Sequence, residues 1–146
     1  MNRYPLLIMI GLLALCWVFS WLFPLNLGLG LIGKVAGLSL VSFGILLLII
    51  AIGLFMAGKT TVMPTRAPDK LVKEGIYHMT RNPMYIGMLL ILSGFPLMMD
   101  TIIGFICPAL FFFLMDRIVI PREEKVVEGV FGKAYLEYKS HTRRWI

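Results

Sequence analysis

The stretch Gly75-Ile76-Tyr77-His78-Met79-Thr80-Arg81-Asn82-Pro83-Met84-Tyr85-Ile86-Gly87 decides how the rest of the chain is read. It is the densest cluster of polar, aromatic and glycine residues in an otherwise apolar sequence. An apolar run from Met84 to Met99 follows it directly. Asn82 and Pro83 read as the N-cap and first residue of a helix through that run. Asparagine accepts a bond from a free backbone N–H, and proline lacks the donor that the position would waste. The unpaired N–H groups and partial positive charge of such a helix start suit an anionic group on a ligand. The stretch predicts a water-facing entrance at the membrane edge, able to hold a soluble cofactor.

The surrounding composition explains why a membrane is invoked. Of 146 residues, 59% are hydrophobic and only 15% charged, against about 25% charged in a soluble domain. Mean hydropathy is +0.86. These values predict one integral membrane domain over residues 1–146. The net charge of +6 follows the membrane topology and is not a nucleic-acid patch. Cys16 and Cys107 lie inside apolar runs. They read as buried small residues, with neither a disulfide nor a metal site expected. Arg3 followed by an apolar run imitates a signal peptide, but no small-residue cleavage pattern precedes Pro24. Trp17, Phe19, Trp21 and Phe23 read instead as the aromatic belt of a retained first span.

The expected fold is all-α: about four transmembrane helices and a cytosolic amphipathic C-terminal helix. The spans fall at about residues 6–23, 33–57, 84–99 and 102–120, with a cofactor-site segment over 121–146. The third is short for a hydrocarbon core of about 30 Å, and an oligomer is compatible with it. Asp100-Thr101 leaves a tight hairpin between the third and fourth. Basic residues (Arg3; Lys59, Arg66, Lys70, Lys73 and Arg81; Arg117, Arg122, Lys125, Lys133, Lys139, Arg143 and Arg144) collect on one side, and Lys34 lies near the other. The positive-inside rule puts both termini and the middle loop, Gly58 to Thr80 with Pro64 and Pro68, in the cytosol of an inner-membrane protein.

Three further patterns shape the expectation. Gly33, Gly37 and Gly44 form a small face that lets another helix approach closely. Gly28-Leu29-Gly30-Leu31-Ile32-Gly33 matches a dinucleotide fingerprint letter for letter, but it joins two membrane helices without the strand and soluble unit that fingerprint needs. It reads as a turn. After Pro121, the residues Val126, Val127, Val130, Phe131, Ala134, Tyr135 and Tyr138 share one helical face, with a break expected at Gly132. Arg143-Arg144-Trp145 reads as an interfacial anchor.

The hairpin places three polar groups at the cytosolic side: Tyr77, His78, Arg81, Asn82 and Tyr85; Asp116 and Arg117; and Arg122, Glu123 and Glu124. Each has an ordinary alternative. Arg81 would also suit lipid headgroups, and the two glutamates would suit a helix's first turn after Pro121. Asp116 and Arg117 would form an interfacial ion pair, and the tyrosines a belt. The pattern Gly75-x-Tyr77-x3-Arg81-Asn82-Pro83-Met84-Tyr85-x-Gly87, then Glu123-Glu124, then Phe131-Gly132-x2-Tyr135-x2-Tyr138 resembles the isoprenylcysteine carboxyl methyltransferase and phospholipid methyltransferase superfamily, particularly its small bacterial members. The likeness covers roughly Leu71 to Trp145.

That resemblance implies a membrane enzyme that takes a methyl group from S-adenosylmethionine in a cytosolic pocket and delivers it to a lipophilic or small acceptor. An isoprenylcysteine-like carboxylate is the favoured acceptor and a phospholipid amine the alternative. It implies Tyr77, His78, Arg81, Asn82, Tyr85, Glu123 and Glu124 at the cofactor, and Arg117 and Arg122 nearer the acceptor, with the two glutamates doubling as catalytic groups. Asn82 stands where the eukaryotic pattern has histidine, so no proton can be carried there near neutral pH.

The residue chemistry agrees. A glutamate can hold the donor's amine, Arg81 its carboxylate, and a tyrosine can pack on adenine or face the sulfonium. Glu123 or Glu124 is the candidate base for an acceptor that must lose a proton. A sterol-reductase-like enzyme using NADPH and a non-catalytic adaptor are the other classes considered.

Overall fold

The computed structural model describes residues 4–57 and 71–146. Arg3, Lys59, Arg66, Lys70, Pro64 and Pro68, used above for orientation and for the middle loop, lie outside the described residues. Helix α1 spans Tyr4–Leu22 and α2 Gly30–Ala57. A 3-10 turn over Gly75–His78 leads into α3, Pro83–Met98. A single helical rod over Ile103–Phe131 forms α4, and Lys133–His141 forms α5. Helices α1, α2 and α4 are each long and apolar enough to cross a membrane. Their outer surfaces expose large apolar side chains such as Leu7, Trp21, Ile32, Ile49 and Phe113, as lipid-facing helices do. The protein is an all-helical membrane protein.

Helix α3 is the hub. At 16 residues it is about 24 Å long, shorter than the bilayer core. Yet Pro83, Met84, Tyr85, Gly87, Met88, Ile91, Leu92, Gly94 and Pro96 are all buried. A span shielded by longer neighbours need not match the bilayer itself. On one side Tyr85, Met88 and Leu92 pack with Met9, Leu12 and Cys16 of α1 and with Cys107, Phe111, Met115 and Ile120 of α4. Both cysteines are free and buried there.

On the other side α3 meets α2 backbone to backbone. A Cβ on Gly37 would lie 2.5 Å from the Gly94 carbonyl oxygen, and one on Gly44 would lie 2.6 Å from that of Gly87. The pairs are one heptad apart on antiparallel helices, so the glycine face expected on α2 receives a matching face on α3.

The expected turn ends where α2 begins at Gly30 and does not reach Gly33, with Gly28 at φ 75° and Gly30 at φ 50°. It is tied to the hairpin between α3 and α4. Leu29 N–H donates to the Asp100 carboxylate at 3.0 Å, and Ile102 N–H to the Leu25 carbonyl at 3.0 Å.

Two expectations about the later chain are corrected. The fourth span does not stop at residue 120 before a separate helix, because α4 continues through Pro121 to Phe131. Proline should break a helix by removing a donor and crowding the carbonyl four residues back. Here the turn ahead of it, Met115–Val119, widens into a π segment in which Ile120 N–H donates to the Met115 carbonyl. That extra residue in the turn accommodates the proline ring. The break at Gly132 does occur, at φ 50°. The apolar face predicted across it is only partly buried: Tyr135 and Tyr138 are, whereas Val126, Val130 and Ala134 are exposed. The kink divides the stripe between two helix axes.

Candidate functional site

The polar end of the bundle is built by the entrance to α3, the last turns of α4, α5 and residues 142–145. Thr80 and Arg143 form a parallel bridge, and Arg81 N–H donates to the Arg143 carbonyl at 2.9 Å. The Arg144 carbonyl accepts from Thr80 Oγ1 at 3.2 Å and from Asn82 Nδ2 at 3.0 Å. Asn82 occupies the N-cap position of α3 with Pro83 after it, but its side chain makes no cap bond. The expected cap is corrected: the amide is turned to residue 144, and the Asn82 carbonyl receives Tyr85 and Ile86 N–H.

These backbone anchors fix a cluster of charges. Arg81 Nη2 lies 3.1 Å from Glu124 Oε1, with both side chains 10% exposed. Arg144 Nη2 lies 3.1 Å from Glu124 Oε2, and its Nη1 lies 3.1 Å from Asp116 Oδ1. Lys139 Nζ adds longer contacts to Glu124 and Glu128. Trp145 Nε1 donates to Asp116 Oδ1 at 3.0 Å, and its ring stacks on Phe112 at 4.9 Å. Arg143-Arg144-Trp145 as a lipid anchor is thus corrected: Arg144 and Trp145 fold back onto α4. Burial works against the Arg144 charge, but hydrogen bonds to Glu124 and Asp116 more than offset it and hold its pKa up. Asp116, expected to pair with Arg117, is held mainly by Arg144 and Trp145, with Arg117 at 3.6 Å.

Beside this cluster, Tyr85 donates to Glu123 Oε2 at 2.8 Å. Among the described residues, Glu123 forms no ion pair and its buried Oε1 has no hydrogen-bond partner. Arg81 Nε and Nη1 are likewise buried without a partner among the described residues. A buried polar atom left without a partner is costly, which sets these atoms apart from the satisfied pairs around them.

The sequence candidates therefore divide. Arg81, Tyr85, Glu123 and Glu124 come together, and Asn82 sits at their edge. Tyr77 is buried deeper, edge-to-face with Phe55 at 5.1 Å, and its carbonyl accepts from Tyr138 Oη. His78, Arg117 and Arg122 are exposed, with Arg117 lying over the Phe113 ring. An open groove of about 600 Å³ adjoins the cluster, lined by Pro121, Glu124, Lys125, Glu128, Gly129 and Lys139. Sequence reasoning did not single out Thr80, Lys139, Arg144 or Trp145 as site residues. No local signal marked Arg144 and Trp145, because their reach to Asp116 and Glu124 is set by the fold.

A family model described as phospholipid methyltransferase matches residues 32–134. A protein of Haemophilus influenzae (strain ATCC 51907 / DSM 11121 / KW20 / Rd) bearing the name "Uncharacterized protein" is 33% identical over 63 residues, 43% of this chain and 100% of that protein. Protein-S-isoprenylcysteine O-methyltransferase B of Arabidopsis thaliana is 36% identical over 69 residues, 47% of this chain and 35% of the plant protein. The match thus spans about a third of the plant enzyme's length. No solved structure matches the chain.

Proposed function

The chain belongs to the phospholipid methyltransferase family, and from that membership we propose that it is an S-adenosylmethionine-dependent methyltransferase whose donor sits at the polar end of α3 and α4. The observation that carries this reading is a set of buried polar atoms without a hydrogen-bond partner, Arg81 Nε and Nη1 and Glu123 Oε1, on an arginine whose charge is paired to Glu124 and a glutamate in no ion pair among the described residues. The amino-acid end of the donor is complementary to them, being a carboxylate beside an ammonium. Arg81 would hold the carboxylate through Nε or Nη1, its Nη2 being taken by Glu124, and Glu123 Oε1 would hold the cation. When bound, the donor supplies an activated methyl on a sulfonium.

The chain's own residues would orient the donor. Tyr85 holds Glu123 in one rotamer through its 2.8 Å bond, and Glu124 holds Arg81. An in-line displacement requires above all alignment and exclusion of water, and these two contacts would serve the alignment. Arg117 and Arg122, exposed near the polar end of α4, are placed to meet the acidic headgroup or carboxylate of a lipophilic acceptor. An isoprenylcysteine-like carboxylate, which needs no base, is the favoured acceptor class; a phospholipid amine would call on Glu123 as base. Tyr77 would act from below, through its carbonyl's bond to Tyr138, and His78, exposed beside the entrance to α3, would meet the donor from the water side. The basic residues of this end (Lys73, Arg81, Arg117, Arg122, Lys125, Lys133, Lys139, Arg143, Arg144), set against Lys34 near the start of α2, orient it to the cytosol of an inner membrane.

The test is calorimetry of the detergent-purified protein with S-adenosylhomocysteine and, separately, with NADPH. Saturable binding of the first, lost in Arg81→Ala, is expected. Binding of NADPH alone would replace the transferase reading with a reductase one.

A further inference from the structure

Residues 142–145 do more than end the fold. Three hydrogen bonds to their backbone and two ion pairs of Arg144 converge on the residues that set the proposed donor site. The Arg143 carbonyl holds Arg81 N–H, and the Arg144 carbonyl holds both Thr80 Oγ1 and Asn82 Nδ2. Thr142 N–H, in turn, is tied to the Tyr138 carbonyl of α5 at 3.0 Å. The Arg144 guanidinium bridges Asp116 in the π segment to Glu124 one turn beyond Pro121. Trp145 closes the same carboxylate of Asp116 and packs on Phe112.

Glu124 is 8% exposed and meets Arg81 and Arg144 at 3.1 Å and Lys139 at 3.8 Å. Arg144 gives its second oxygen a cation and so frees Arg81 to present its other two nitrogens. The geometry points to residues 142–145 as a latch, in which Arg144 is a positioning residue for Arg81 and Glu124 and Asn82 is the catch that seats it. The inference rests on the donor-site reading above. It also assigns the asparagine at this position a role that needs an N–H donor and not a titrating group. Histidine, with a ring N–H, could supply the same bond.

The test combines donor affinity with a readout that does not depend on the donor. In a Trp17→Phe/Trp21→Phe background, Trp145 is the remaining tryptophan, and acrylamide quenching reports whether it is seated. Arg144→Ala is expected to raise quenching and weaken S-adenosylhomocysteine binding by about 10- to 100-fold, the usual effect of removing a partner that orients a ligating group. Added guanidinium ion should restore part of that affinity, which a variant that merely misfolds would not allow. Asn82→Asp, which removes the donor and sets a carboxylate against the Arg144 carbonyl, should unseat Trp145. Asn82→His should keep affinity within about threefold, far inside the range that loss of an orienting partner produces. Unchanged affinity in Arg144→Ala, with Trp145 unseated and the parent binding normally, overturns the latch. Failure of the parent to bind, with Trp145 seated, overturns the donor site on which the latch depends.

Discussion

Helix α3 has two interfaces of opposite character. Along its length it meets α2 through glycines, with carbonyls so close that a Cβ at Gly37 would stand 2.5 Å from the Gly94 oxygen. At its mouth it meets α4, α5 and residues 142–145 through ion pairs and hydrogen bonds, several with unsatisfied atoms left over. The seam has nothing spare and carries no chemistry. The mouth holds buried polar atoms that its own contacts leave without a hydrogen-bond partner. Close packing leaves no polar atom alone, whereas places that break that rule are where function is expected, and the proposed donor site is the mouth.

The sharpest break in that contrast comes from the seam. Gly37→Leu should prevent α2 and α3 from packing and leave little folded protein in detergent, since overpacking by even one methylene costs about 1–3 kcal/mol and here backbone blocks the space. Recovery of monodisperse protein with an unchanged melting temperature would show the seam to be looser than the structure has it. At the mouth, Glu123→Gln should act in the opposite sense. Donor affinity should fall by about 10-fold or more, the loss expected when a charge-assisted bond of about 1.5–3 kcal/mol is removed. The melting temperature should hold or rise, because a buried carboxylate lacking a cation is relieved. A fall in stability parallel to the fall in affinity would make Glu123 part of the scaffold.

A pH-dependent effect concerns the joint between the two regions, where Tyr138 Oη donates to the Tyr77 carbonyl. Burial pushes the Tyr138 phenol up to about 12, with Arg81 opposing and Tyr135 adding to it. The unfolded value is about 10, so the folded state binds this proton more tightly. The resulting stability is complete below pH about 10 and is lost as pH rises through about 12, on the order of 3 kcal/mol. Melting temperatures measured from pH 9 to 12, in the manner of a linkage series, should decline more steeply for the parent than for Tyr138→Phe; equal slopes would remove Tyr138 from the account. The smallest change lies outside both interfaces. A Cβ on Gly129 in α4 meets nothing within 4 Å, so Gly129→Ala should raise stability by up to about 1 kcal/mol through helix propensity. A destabilised Gly129→Ala would reveal a contact at that face.

How far the sequence could be read differs between the same two regions. The α2 side of the seam was legible because Gly33, Gly37 and Gly44 share a helical face. The partner side was hidden because Gly87 and Gly94 are seven apart, and Gly87 also belongs to the motif that drew attention to the mouth. At the mouth, the meeting of Arg81 and Tyr85 with Glu123 and Glu124 followed from the short hairpin at Asp100-Thr101, which sets the two helices side by side. Three features were not legible. Pro121 gives the local signal of a boundary, and only tertiary packing sustains the π segment that carries the helix past it. Asn82 gives the local signal of a cap, and only the return of residue 144 draws its amide away. Arg143-Arg144-Trp145 gives the local signal of an interfacial anchor, because nothing within a few residues of it shows that Asp116 and Glu124 lie within reach.

The most direct measurement compares two ligands that differ only in the part that Arg81 and Glu123 would grip. S-Adenosylhomocysteine carries the amino-acid end, and methylthioadenosine lacks it. The parent protein should bind the first far more tightly, by roughly 100-fold if each charged contact contributes about 1.5 kcal/mol. Arg81→Ala and Glu123→Gln should each erase part of that gap without changing affinity for methylthioadenosine. Equal binding of the two ligands by the parent, or a gap untouched by both substitutions, would contradict the assignment of Arg81 and Glu123 to the donor.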